Sequence, residues 1–118
     1  MKKILVVDDD DAIRALVARM LKMAGYETCT ARDGHEALEQ FRAERPDFVV
    51  TDLVMPRMDG FELCRRVREF SSVPIIVMTG FGTIYRSEAV RVGANLFLAK
   101  PFGADELLSH VASLLSSP

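Results

Sequence analysis

The residues of this chain that could do chemistry fall at one recurring point of its pattern. Asp8 and Asp9 follow the apolar run Ile4–Val7, Asp52 follows Phe48–Thr51, Thr79 follows Pro74–Met78, and Lys100 follows Asn95–Ala99. Each of these short runs is mostly apolar, and the first, Ile4–Val7, is rich in β-branched residues, as in a strand buried on both faces. In a parallel sheet the carboxyl ends of the strands share one edge, and that is where ligand crevices open. If the first and third strands are neighbours, the carboxylates of Asp8, Asp9 and Asp52 meet, repel one another and raise one another's pKa values. A hard divalent cation resolves the repulsion. Mg²⁺ takes oxygen ligands, keeps several waters and is typically held by one or two carboxylates together with phosphate oxygens. Lys100 and the Thr79 hydroxyl, on adjoining strands, can take the other oxygens of an incoming phosphoryl group. Such a set suits phosphoryl transfer to a carboxylate, which needs positioning and charge neutralisation more than a strong base. Asp52, alone at its strand end, is the best acceptor.

The elements that must position these residues alternate along the chain. Lys3–Val7, Glu27–Ala31, Asp47–Thr51, Pro74–Met78 and Asn95–Ala99 read as strands. Glu27–Ala31 is the least hydrophobic and belongs nearer an edge. Ile13, Leu16, Val17, Met20, Leu21 and Ala24 form a helical stripe, capped by Asp10 or Asp11 and stopped at Gly25. Ala37, Leu38 and Phe41 mark a second helix that ends before Pro46. A third spans Gly60–Phe70, with Leu63, Cys64 and Val67 on one face and Arg65, Arg66 and Arg68 on a solvated one. A fourth lies around Tyr85–Val92, where the apolar pattern is sparse, and Leu107, Leu108, Val111, Leu114 and Leu115 mark a fifth. Five strand–helix alternations predict an α/β domain, a doubly wound five-stranded parallel sheet with helices on both faces.

Composition bounds the function. The 118 residues are 49% hydrophobic and carry a formal net charge of -2. This suits one domain with one core, expected over residues 1–118. Acids and bases are interspersed, so no basic patch predicts direct nucleic-acid or membrane-surface binding. No apolar run approaches the roughly 20 residues of a membrane helix. Ile4–Val7, followed at once by acids, is too short for the signal-peptide core of about 7–15 residues, and the expected location is the cytoplasm. Cys29 and Cys64 have no CxxC or histidine partner at ligand spacing and read as small core residues. His35 and His110 read as surface or helix residues.

Four stretches, in order, resemble the receiver domains of two-component response regulators. They are Ile4–Asp10 with its acidic end, Asp52–Gly60 with Pro56 and Asp59, Pro74–Gly80, and Gly93–Ala94 leading to Lys100–Phe102. The resemblance covers essentially the whole chain and implies the flavodoxin-like (βα)5 fold. It implies that Asp52 accepts a phosphoryl group from a sensor histidine kinase or a phosphotransfer protein. Asp8 and Asp9 would hold Mg²⁺, helped by Asp52 and the backbone carbonyl of Val54. Thr79 would bond a phosphate oxygen and Lys100 would pair with the phosphate. The bond before Pro101 is expected to be cis. Phe97 stands at the family's aromatic switch position, where a tyrosine is frequent. The fourth-helix, fifth-strand, fifth-helix face is the expected output surface toward a partner protein, an output domain or a phosphorylation-dependent second copy.

Departures from the pattern carry information. The spacing from Thr79 to Lys100 is one residue short of the common one, around the fourth helix. Leu96 and His110 stand where receivers joined to winged-helix domains often carry an acid and an arginine, which argues against that dimer mode. Val54 and Phe81, two residues beyond Asp52 and Thr79, are apolar and cannot orient an attacking water, which predicts slow autodephosphorylation. A rival reading is a small Mg²⁺-dependent phosphatase or phosphotransferase with an Asp nucleophile. It is disfavoured because Val54 occupies the place where such enzymes carry a second acid. A flavodoxin-like cofactor binder is disfavoured because four aspartates, not a phosphate-binding loop, follow the first strand.

Overall fold

The computed structural model describes residues 1–80 and 84–116. In chain order the elements are β1 (Lys3–Val7), α1 (Asp11–Met23), β2 (Glu27–Ala31), α2 (Gly34–Glu44), β3 (Phe48–Asp52), α3 (Gly60–Arg68), β4 (Ile75–Thr79), α4 (Arg86–Arg91), β5 (Leu96–Ala99) and α5 (Ala104–Leu115). All pairings are parallel, in the order β2-β1-β3-β4-β5. The expected doubly wound sheet is therefore observed, with the polar strand β2 at an edge. The chain reverses its direction of travel across the sheet between β1 and β3, which are neighbours, so the crevice of the fold opens at their carboxyl ends.

Alternation along each strand sorts the core into two layers. Leu5, Val7, Val49, Ile75, Val77 and Phe97 face the layer made with α2, α3 and α4. Ile4, Val6, Phe48, Val50, Ile76, Met78 and Leu98 face α1 and α5. Burial of each such side chain contributes about 1.5–3 kcal/mol, so both faces of the central strands are strongly specified.

The ends of the elements explain where the sequence reading drifts. β3 and β4 run one residue further than expected and take in Asp52 and Thr79. Their ladders continue past the apolar runs: Asp52 lies opposite Met78, and Thr79 opposite Ala99. Asp10, Asp33 and Asp59 cap α1, α2 and α3 through their side chains. α4 has six residues, and its N-cap, Tyr85, makes no side-chain cap bond. It is shorter at both ends than the expected Tyr85–Val92.

One assignment is corrected. Arg68 is not on a solvated face. Its guanidinium donates to Gly93 O at 3.0 Å, Ser71 O at 3.2 Å and Asn95 Oδ1 at 3.0 Å. Asn95 Oδ1 also accepts the Ile75 amide at 2.9 Å. Arg68 thus ties the end of α3 to the start of β4 and the α4–β5 turn. Helical periodicity placed it opposite the apolar stripe, but its long side chain reaches back over the helix end.

Candidate functional site

The sheet ladder itself mounts the site. Asp8 N donates to Ala31 O at 3.1 Å, Leu53 N to Met78 O at 2.9 Å, and Lys100 N to Thr79 O at 2.7 Å. The site residues are therefore fixed by backbone bonds that continue the strands, and not by loop conformation alone.

The four consecutive aspartates divide the work at the first strand end. Asp8 is buried, and its Oδ1 accepts the Asp10 amide at 2.9 Å. Arg14 of α1 donates to the Asp8 backbone carbonyl at 2.9 Å. Asp10 caps α1 by accepting from Ala12 and Ile13, and Asp11 pairs with Arg14 at 2.6 Å. Asp9 is left exposed at the crevice. Asp8, Asp9 and Asp52 each place a carboxylate oxygen within 4.8 Å of the others.

Asp52 is buried at the end of β3. Its carbonyl accepts the Thr51 hydroxyl at 2.9 Å. Gly60 lies so close that a Cβ there would sit 2.6 Å from that same carbonyl oxygen. Only a glycine lets α3 begin against the strand end, where Gly60 N donates to Leu53 O at 2.7 Å.

Lys100 reaches across the strand ends. Its Nζ is 3.1 Å from Asp52 Oδ1 and 3.4 Å from Asp8 Oδ2. Burial, followed by the charge of Asp8, raises the pKa of Asp52, while the Lys100 hydrogen bond and charge pull it back. The net direction is upward. Burial opposes the charge on Lys100, but the bonds and charges of Asp52 and Asp8 together outweigh it and raise the lysine's pKa. A positive charge is thus held against a pair of carboxylates that lack full neutralisation. The donor set is all oxygen, closely grouped and net negative, which fits a hard divalent cation better than a softer metal.

The other expected residues lie around this cluster. Thr79 is buried at the end of β4, beside Lys100 in the ladder. The Lys100–Pro101 peptide bond is cis. Val54, in the loop after β3, is 54% exposed. Phe97 is 9% exposed and faces the α2–α4 layer opposite Val77, one layer away from the crevice. Phe81 lies outside the described residues. The structure therefore brings Asp8, Asp9, Asp52 and Lys100 into one cluster, with Thr79 adjoining and Phe97 behind it. Sequence reasoning did not find Arg14 or the close approach of Gly60. The Asp59–Gly60 turn signal marked the helix start, but no spacing rule reveals a contact with the preceding strand.

A profile described as the response regulator receiver domain matches residues 4–112. The response regulator MprA of Mycolicibacterium vanbaalenii is 44% identical over 115 residues, covering 96% of this chain and 50% of that protein. The relative ycf27 of Cyanophora paradoxa is 44% identical over 115 residues, covering 97% of this chain and 48% of that one. The chain spans about half the length of these curated relatives. Among solved structures, the chemotaxis response regulator CheY4 of Vibrio cholerae superposes with a TM-score of 0.88 at 38% identity, covering 97% of this chain and 98% of that one.

Proposed function

The chain belongs to the response regulator receiver domains of two-component systems, and from that membership we propose that Asp52 is the residue that accepts the phosphoryl group. The observation that carries this reading is the position of Asp52. It ends a central strand beside Asp8 and Asp9, with Lys100 Nζ 3.1 Å from its Oδ1. Asp8 and Asp9, with Asp52 and the Val54 carbonyl, would hold Mg²⁺. The ion would neutralise charge between the carboxylates and the entering phosphoryl oxygens. An Asp52 oxygen forms the bond to phosphorus as the donor's P–N bond breaks, and the electron pair leaves on the donor imidazole. Lys100 moves its charge from the carboxylates to a phosphoryl oxygen, and the Thr79 hydroxyl donates to another. Because Asp52 is already anionic and aligned by the ladder, the protein supplies orientation and charge, not a base.

The donor is a sensor histidine kinase or a phosphotransfer protein. The modified Asp52 carries about -1.5 to -2 charges. Thr79 moves toward it, and Phe97 repacks into the space released, changing the surface of α4, β5 and α5 that a partner or an output domain reads. Residues 1–118 act as one such domain in the cytoplasm. Among the described residues no helix is long and apolar enough to cross a membrane. The relatives' greater length supports an output domain beyond this one in those proteins. Val54 lacks the second acid of an Asp-nucleophile phosphatase, which favours a switch over a hydrolase.

Intact-protein mass after incubation with Mg²⁺ and acetyl phosphate tests the reading. One added phosphoryl group is expected, labile to hydroxylamine, absent without Mg²⁺ and absent in Asp52→Asn. An adduct that survives in Asp52→Asn would refute the assignment.

A further inference from the structure

The loop between β3 and α3, residues 53–59, is anchored on both sides. Its base closes where Gly60 N donates to Leu53 O at 2.7 Å. Its far side is held twice by the first turn of α2. The Arg57 guanidinium donates to Asp33 Oδ2 at 3.1 Å, while Asp33 Oδ1 accepts the Glu36 amide at 2.8 Å and caps the helix. Met58 is buried and seats against Gly34, where a Cβ would lie 2.5 Å from the Met58 sulfur. The helix thus begins with a residue that leaves room for the loop.

Arg57 has a backbone φ of 70°. That left-handed conformation suits glycine or asparagine and disfavours a long side chain. Its side chain is 69% exposed, and surface ion pairs contribute little to stability. Neither backbone preference nor folding energy accounts for an arginine here. What it does have is a defined partner and a place on the loop that carries Val54.

We propose that Arg57 is a positioning residue for the metal and phosphoryl site: through Asp33 it fixes the loop so that the Val54 carbonyl is set for the cation in advance. The proposal rests on the assignment of Val54 as a Mg²⁺ ligand made above. The side chain of Arg57 touches neither metal nor phosphate in this role. It acts at one remove, through the loop backbone between Arg57 and Val54, so its loss would weaken metal binding without altering the ligands.

The test is calorimetric titration of Mg²⁺ alone into the wild type, Arg57→Gly, Asp33→Asn and the double variant, with urea midpoints measured in parallel. Glycine accepts the positive φ, and asparagine still caps α2, so both variants keep the fold. Each single variant is expected to bind Mg²⁺ about 2- to 5-fold more weakly, the scale of one exposed ion pair. The double variant should lose no more than either single one, because both remove the same tie. Unchanged Mg²⁺ affinity in the single variants would overturn the proposal. So would tighter binding in Arg57→Gly with no change in Asp33→Asn, since the guanidinium would then act only as a charge that repels the cation. A wild type that binds no Mg²⁺ would overturn the proposal together with the reading of the acidic cluster, which the other outcomes leave standing.

Discussion

The residue that defines the site is held at an electrostatic disadvantage. Burial and the neighbouring Asp8 charge raise the pKa of Asp52, so the folded state binds that proton more tightly than the unfolded chain does. The cost of the charge is fully present at neutral pH and is relieved as pH falls through the raised value. Asp33 has the opposite sign. The Glu36 backbone bond lowers its pKa most, burial opposes it, and the charge and hydrogen bond of Arg57 lower it further, so its contribution is present above the ordinary aspartate value and is lost in acid. Asp52→Asn should therefore stabilise the protein at pH 7 by about 1 kcal/mol, the usual scale of a single substitution. The gain should shrink toward pH 4. Urea denaturation at the two pH values measures it, and a less stable variant at pH 7 would contradict the electrostatic account. Val54 is exposed beside Asp52 and offers no polar side chain, so Val54→Asn should shorten the lifetime of the phosphoryl group, followed as the decay of the mass adduct. An unchanged lifetime would show that this position does not govern water attack. At this scale the clustering of Asp8, Asp9, Asp52 and Lys100 was legible in the sequence, because an acid or lysine directly after a buried strand stands out against apolar neighbours. Arg14 and Gly60 were not legible, since what they do depends on contacts across elements.

At the scale of elements, the helices with side-chain caps are the ones the sequence delimits well. Asp10, Asp33 and Asp59 each bond the amides of a first turn, and those starts could be read to within about a residue. The strands were less exact at their ends. The ladder extends through Asp52 and Thr79 although both are polar, so a reading that ends strands where hydrophobicity ends stops too early. α4 has no such side-chain cap and few apolar positions, and it proved to be a six-residue helix. Arg68 shows a different failure, in which position on the helical wheel was mistaken for solvent exposure. Its bonds to Gly93, Ser71 and Asn95 join α3 to the base of β4 and β5. Arg68→Ala should cost about 1–3 kcal/mol and raise amide exchange at Ile75 and Ala94, while leaving the rate of phosphorylation by acetyl phosphate unchanged. A large fall in that rate with no change in exchange would place Arg68 in the chemistry instead of the scaffold.

Across the whole molecule, the proposed chemistry lies on one sheet edge and its proposed consequence on one face. On β4, Met78 lies opposite Asp52 of β3 and the next residue, Thr79, opposite Ala99 of β5, while Phe97 sits on β5 in the layer shared with α4. A change at Asp52 can thus reach α4 through two adjacent strands. Thr79→Ala should still accept a phosphoryl group but should lose most of the chemical-shift change at α4 and β5 that phosphorylation produces in the wild type. A full response in that variant would remove Thr79 from the path. The parallel topology and both core layers followed from five repeats of strand and helix. The proposed path could not be read that way, because it depends on which strands are neighbours and not on their order in the chain.

The central claim is that the transferable phosphoryl group resides on Asp52, and borohydride trapping tests it most directly. Protein treated with Mg²⁺ and acetyl phosphate is reduced with sodium borohydride, which converts an aspartyl phosphate to homoserine, and its peptides are then sequenced by mass spectrometry. The account predicts homoserine at position 52 and intact aspartate at positions 8 and 9. Homoserine at position 8 or 9, with Asp52 unchanged, would contradict it.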